Sequence, residues 1–391
     1  MNVQPTNLPT IPFDAAKLDA LLEEAGIDVL VATSKHNVQY LLGGYRFFFF
    51  DYMDAIGLSR YLPVFIYRKG HADRSVFIGY GLEKYEKELN RFWTPVADTS
   101  SRTSAGAVEL AVAHIRKMGV VSARIGVEMA FLPLDAANAL QASFADLVDA
   151  TVPLERLRAR KSPGELALLR EASQRVVASM QAAFAACKPG MTKHDVVRRL
   201  RQEEVSRDLI FEYCLITAGT SVNRAPSEQR LKAGDILSID SGGNYHGYIG
   251  DLCRMGILGE PDSELRDLLG EIEAIQQAAR RPIRAGARGG DVFAFAEEVM
   301  RASQHASCLE FLAHGMGLVS HEAPRLTSTG PVPYPGYDVD RPLESSMVIS
   351  IETTMHHPRR GFIKLEDTVA VTAGGWEGFG DEGRNWNVIA S

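Results

Sequence analysis

The second half of the chain repeats itself, and the repeat limits what it can fold into. Lys188-Pro-Gly-Met-Thr-Lys-His-Asp-Val196 resembles Arg284-Ala-Gly-Ala-Arg-Gly-Gly-Asp-Val292. Each stretch follows one long helical pattern and precedes another. Further on, Ile236-Leu-Ser-Ile-Asp240 parallels Val348-Ile-Ser-Ile-Glu352, and Gly247-Tyr-Ile-Gly-Asp251 parallels Gly361-Phe-Ile-Lys-Leu-Glu-Asp367. The order is helix, helix, hairpin, then the same again. Two such halves are expected to pack as pseudo-symmetric α+β units with their sheets facing.

The hairpins carry acids in unusual places. Asp240 ends an apolar β-type run, and Asp251 lies on the returning strand after a turn near Tyr245. Near-opposite residues of an antiparallel pair share a face. The second hairpin repeats the arrangement with Glu352 and Glu366. Side-by-side carboxylates repel unless a cation or proton lies between them. These acids interrupt apolar runs, so burial is expected, and a buried unpaired carboxylate is costly. A metal partner accounts for them better than a solvated acidic face. His314 and His321 flank a Gly-Met-Gly segment that permits close backbone approach. Four carboxylates and an imidazole make a hard, oxygen-rich donor set, suited to a pair of Mn, Fe, Co or Zn ions. Such a pair lowers the pKa of a water and polarises a carbonyl.

The first half reads differently. Helical patterns at Ala15–Ala25, Ala105–Lys117 and Pro133–Phe144 alternate with short apolar runs at Asp28–Thr33, Val64–Tyr67, Ser75–Gly79 and Arg124–Glu128. That alternation predicts a smaller α/β domain, residues 1–157, ahead of a catalytic domain at 158–391. Ser162, Pro163 and Glu165 form a capping-box signature that opens a long helix after the boundary. Phe47 to Phe50 are four phenylalanines in a row. Adjacent side chains diverge, so four cannot all face one core. Some are expected at a subunit contact or a pocket.

Composition removes other classes. Lys plus Arg is 42 against 49 for Asp plus Glu, a net charge of -7 with no basic block, which argues against nucleic acid. No apolar run approaches the roughly 18 residues that span a bilayer. Met1 to Asp14 lacks a basic segment leading into an apolar one, so no leader peptide is expected. Cys187, Cys214, Cys253 and Cys308 are widely spaced, as in a reduced, cytoplasmic protein.

Asp-x10-Asp, His-Gly-x-Gly-x3-His-Glu and Glu-x13-Glu-Asp together resemble the creatinase / aminopeptidase P / prolidase family of pita-bread metallohydrolases. The resemblance extends to the N-terminal domain and to Arg160-Lys-Ser-Pro-Gly-Glu165. It implies a pita-bread fold with two divalent ions, Mn foremost. By this resemblance Asp240 holds one ion, Asp251 and Glu366 bridge both, and His314 and Glu352 hold the other. A bridging water is the implied nucleophile, Glu352 its proton shuttle, and His321 a contact to the substrate or tetrahedral intermediate. A homodimer acting on a small molecule or dipeptide is likewise implied. Asn223, Arg224, His356 and Lys364 join His321 as expected substrate contacts.

The chain also departs from the family pattern. Asn223 stands where a prolyl peptidase carries His, and an amide cannot carry a proton. Lys364 replaces an Arg, Cys253 a Thr, and Glu352-Thr-Thr a Glu-Pro-Gly. The implied ligand set is intact while the pocket around it is altered. Two substrate classes follow: an Xaa-Pro dipeptide, or a small non-peptide metabolite that is hydrolysed or cleaved by a lyase. A silent binding module is the third reading.

Overall fold

Local signals in the first half resolve into one mixed sheet. The computed structural model describes residues 10–57, 59–327 and 335–390. Residues 1–9 of the stretch read as lacking a leader lie outside them. The chain divides into two compact units, 1–158 and 159–391.

Unit one contains α1 (Ala15–Glu24), β1 (Val29–Ala32), α2 (Lys35–Leu41), α3 (Met53–Ile56), β2 (Val64–Arg68), β3 (His71–Tyr80), α4 (Lys84–Glu88) and β4 (Val96–Ser101). It continues with α5 (Ser104–Lys117), β5 (Ile125–Val127), α6 (Leu134–Gln141), β6 (Leu147–Asp149) and α7 (Thr151–Ala159). Its sheet order is β4-β3-β2-β1-β5-β6. Strand β1 is apolar throughout because both faces are covered: Val29 and Val31 join one core cluster, Leu30 and Ala32 another. In the phenylalanine run, Phe47 and Phe50 are buried while Phe48 is 54% exposed. Helix α7 runs across the expected 157/158 boundary, through Ala159.

Unit two contains α8 (Pro163–Ala186), α9 (Lys193–Val205), β7 (Ile210–Ala218), β8 (Ile236–Tyr245), β9 (Tyr248–Leu258), α10 (Ser263–Arg280) and α11 (Asp291–Ala302). Then follow β10 (Leu309–Met316), β11 (Ser320–Glu322), β12 (Val348–His357), β13 (Gly361–Val371), β14 (Trp376–Phe379) and β15 (Asn387–Ile389). Helix α8 opens on the expected capping box, with Ser162 and Glu165 satisfying each other's backbone N–H groups. The β8–β9 turn, His246-Gly247, has positive φ at both residues, matching the twist of a two-residue hairpin.

The duplicated order is present, with one correction. The two halves do not face each other as separate sheets. Their strands join edge to edge in one nine-stranded sheet, β11-β10-β12-β13-β9-β8-β7 along its main path. The junction pairs Glu366 of β13 with Cys253 of β9. Each hairpin has an edge whose backbone groups need partners, and the partner half supplies them.

Period-two alternation divides the strands into two faces. On β12 and β13, Ile349, Ile351, Ile363, Leu365 and Val369 enter a core cluster with Leu265, Leu268, Ile272 and Ile275 of α10. Full burial of one such side chain contributes about 1.5–3 kcal/mol. Gln276 of α10 donates to the carbonyls of Ile351 (3.0 Å) and Leu365 (2.7 Å). This fixes the helix under the two strands whose other face carries Glu352 and Glu366.

Candidate metal centre

Directly opposed residues of antiparallel strands share a face, so register alone assembles a row of acids. Asp240 lies opposite Cys253, Cys253 opposite Glu366, and Glu366 opposite Glu352. One step along the strands, Asp251 is opposite Gly242, and His314 of β10 is opposite Ser350. Asp240, Asp251, Glu352, Glu366 and His314 therefore share one face of the sheet. Donor atoms lie within 4.8 Å of one another in three groups: Asp251, His314 and His321; His314, Glu352 and Glu366; and Asp240, Asp251 and Glu366.

Two polar atoms mark where a cation fits. His314 is wholly buried, and its Nδ1 lies 3.3 Å from the Gly315 carbonyl, which leaves Nε2 without a hydrogen-bond partner. That Nε2 is 3.5 Å from Glu352 Oε1 and 3.7 Å from Glu366 Oε1. Two donors each about 2.1 Å from one ion lie about 3.0–3.4 Å apart, so this spacing is close to that of ligands on a common metal. Asp251 Oδ1 is likewise buried and unpartnered, while its Oδ2 accepts from Ser320 at 2.7 Å. Ser350 donates to Glu366 Oε1 at 2.9 Å and orients it. The donor set thus fits a hard divalent ion on the Asp251–His314 side.

The other side is already occupied by side-chain cations. Lys364, buried one step along β13 from Glu366, places Nζ 2.6 Å from Asp240 Oδ2, 2.5 Å from Glu352 Oε2 and 2.8 Å from Glu366 Oε2. Arg224 also donates to Asp240 Oδ2.

The crowding of charge shifts ionisation. Burial, then Glu366 and Asp240, push Asp251 up to about 8. Burial alone would raise Glu352, but Lys364 and His314 outweigh it and hold that carboxyl below its ordinary range. Burial opposes charge on Lys364, and the three carboxylates overcome it, raising its pKa. His321 stacks on His314 with ring centroids 3.7 Å apart; burial and that neighbour lower it to about 4. Glycine at 315 is required, since a Cβ there would lie 2.2 Å from the Ala323 carbonyl oxygen.

Above the acids is a cavity of about 470 Å³. Of the expected substrate contacts, Arg224, His321, His356 and Lys364 line it. His356 lies 3.4 Å from Glu310 on the adjacent strand. Asn223 is not in the lining. It is exposed, and its Oδ1 accepts from Ala225 N at 2.9 Å, closing its own turn. Tyr213, Leu215, Glu310, Leu312, Ser320, Thr354 and Phe362 complete the wall and were missed in the sequence, where they read as ordinary strand residues. The positions of Phe362 and Tyr213 follow from strand alternation once the face of the acids is known.

The sequence profile of metallopeptidase family M24 matches residues 167–373, and that of the creatinase/prolidase N-terminal domain matches residues 15–160. An uncharacterised peptidase, YqhT of Bacillus subtilis strain 168, is 24% identical over 372 residues, covering 92% of this chain and 95% of that protein. Among solved structures, an Xaa-Pro dipeptidase from Bacillus anthracis superposes with a TM-score of 0.79 at 20% identity, covering 96% of this chain and 98% of the other. A dipeptidase from Pyrococcus horikoshii OT3 gives 0.78 at 22% identity, covering 96% and 99%.

Proposed function

Because the chain belongs to metallopeptidase family M24 and is a metal-dependent hydrolase, we propose that it cleaves the C–N bond of a small amide, with an Xaa-Pro dipeptide as the first candidate substrate. The observation that carries this reading is the cavity itself. Its 470 Å³ suits a molecule of dipeptide size, and its floor is the carboxylate–histidine cluster. The solved structures it resembles include one described as an Xaa-Pro dipeptidase and others described as prolidases.

Asp251, His314, Glu352 and Glu366 would hold a divalent ion, with Asp240 beside them. A bound ion polarises a substrate carbonyl and lowers the pKa of water. The chain's own residues do the rest. Glu352, ionised between Lys364 and His314, accepts a proton at its carboxylate and returns it to the leaving nitrogen. His321, neutral against His314, presents a ring nitrogen to the oxygen that gains charge. Arg224 offers positive charge to a substrate carboxylate, and His356 a ring nitrogen. Manganese, cobalt, zinc or iron suits the oxygen-rich donors. The same reading takes the protein as a cytoplasmic homodimer, supported by its unpaired cysteines and exposed Phe48. Among the described residues no helix is long and apolar enough to cross a membrane.

A second reading, hydrolysis or lysis of a small non-peptide metabolite, is favoured by one feature. Asn223 replaces a proton-carrying histidine and lies outside the cavity lining. Turnover of Xaa-Pro dipeptides by Mn²⁺-loaded protein, absent in Asp251→Asn, supports the dipeptidase. Metal-loaded protein inactive on the whole panel but active on small cyclic amides or amidino compounds would reverse the preference.

A further inference from the structure

The carboxylate cluster has two unequal sides. Each glutamate divides its oxygens between them. Glu352 turns Oε1 toward His314 (3.5 Å) and Oε2 toward Lys364 (2.5 Å). Glu366 does the same, Oε1 at 3.7 Å from His314 and Oε2 at 2.8 Å from Lys364. Toward His314 there are open donor atoms, Nε2 of the histidine and Oδ1 of Asp251. Toward Asp240 there is an ammonium group. A lysine has three N–H donors, and three carboxylates from β8, β12 and β13 stand within 2.8 Å of Nζ. The Asp240–Asp251–Glu366 donor group lies on that side, and its Asp240 and Glu366 oxygens already face the ammonium.

We propose that this chain takes a single tightly held ion, on Asp251, His314, Glu352 and Glu366, and that the Lys364 ammonium is the second cation of the centre. The inference rests on reading the site as a metal centre, and it departs from the pair of ions expected from sequence. Charge supports it. Once a divalent ion has displaced their protons, Asp240, Asp251, Glu352 and Glu366 carry four negative charges; Lys364 and Arg224, paired with these carboxylates, return two positive ones. One divalent ion neutralises the remainder. A second would share Asp240 and Glu366 with the ammonium, placing like charges within a few ångströms in a buried site where screening is weak. Lys364 extends from the strand that carries Glu366, two residues along and on the same face, so its reach to Nζ is fixed by the backbone rather than by a mobile loop. In the one-ion centre, Lys364 orients Asp240, Glu352 and Glu366.

Ion counting decides the matter without reference to turnover. Chelator-stripped full-length protein is titrated calorimetrically with Mn²⁺, and bound metal is measured by mass spectrometry. Mn²⁺ paramagnetic resonance then separates an isolated ion from a spin-coupled pair. Wild type should bind one ion per chain with an isolated-ion spectrum, any second ion binding about 100-fold or more weakly. Lys364→Met, which removes the ammonium and keeps the chain length, should bind two and show the coupled spectrum. Two ions of comparable affinity in wild type would overturn the proposal and leave the metal-centre reading standing. One ion in both proteins would also overturn it, because Lys364 would not be what excludes the second. No binding by wild type, or binding unaffected by His314→Ala, would overturn the metal-centre reading itself. The wild-type measurements decide even if Lys364→Met fails to fold.

Discussion

Asp367 lies next to Glu366 on β13 but faces the opposite way, into the helix-covered side of the sheet. Its buried carboxylate is 3.0 Å from Arg254 and 3.0 Å from Arg280, and accepts from Arg384. Asp367→Asn keeps the volume and removes the charge. Breaking a buried ion pair by deleting one partner costs about 3–5 kcal/mol, because the other charge is left uncompensated. Here the arginines keep other partners. Arg254 donates to the carbonyls of Glu382, Cys253, Glu366 and Gly380. Arg280 keeps Asp381 at 2.8 and 3.1 Å, and Arg384 keeps Glu273 and Asp381. The expected loss is therefore at the low end, about 3 kcal/mol, or a fall in Tm of about 6–12 °C for a unit of this size. The assay is urea unfolding of chelator-treated protein followed by tryptophan emission. Arg280 lies 4.6 Å over the Trp376 ring, so that indole reports on the network. Burial alone would raise the Asp367 pKa; Arg254, Arg384 and Arg280 outweigh it and lower it. A depressed folded pKa gives stability that is present above the unfolded value, near 3.9, and lost as pH falls through the folded one. The gap between wild type and Asp367→Asn should thus be full at pH 7 and shrink below about pH 4. A loss under about 1 kcal/mol at pH 7, or a gap that does not narrow in acid, would refute the reasoning.

Three further outcomes are expected. Gly250→Ala should cost about 1–3 kcal/mol in thermal unfolding, because its Cβ would lie 2.7 Å from the Ala172 carbonyl carbon of α8, while exposed Gly270, with nothing near, should gain about 0.5–1 kcal/mol on the same change. Burial raises Glu204 to about 8, above its unfolded value near 4.3, so its contribution to stability is full below about pH 4 and is lost as pH rises toward 8; Glu204→Gln should remove that slope in Tm measured from pH 5 to 8.5. Phe48→Ser should shift sedimentation toward monomer with stability changed by less than about 0.5 kcal/mol, whereas Phe50→Ser, at a fully buried position, should unfold the N-terminal unit; an unchanged sedimentation profile for Phe48→Ser counts against the dimer.

Much of the site is legible in the chain because strand alternation is local. The placement of Asp240, Asp251, Glu352 and Glu366 on one face follows from runs such as Ile-Ser-Ile-Glu and from two turns. The capping boxes at Ser162 and Thr192 are equally local, each a side chain bonding a backbone N–H three residues away. Asn223 is different. Its position beside the family motif suggested a substrate contact, but a short side chain that can close its own turn does so.

What sequence alone determined is therefore the kind of element, its period and the face its acids occupy, since these depend on neighbours within a few residues. Tertiary structure decided how those faces meet. The pairing of Glu366 with Cys253 joins the two halves into one sheet, and it depends on hydrogen bonding between strands far apart in the chain. The three arginines on Asp367 come from a strand, a helix and a C-terminal loop that no periodicity relates. Lys364 shows the same limit. Its strand position fixes its face, but the three carboxylates that turn a flexible four-carbon side chain into a buried cation belong to three strands, and only their assembly makes that charge stable.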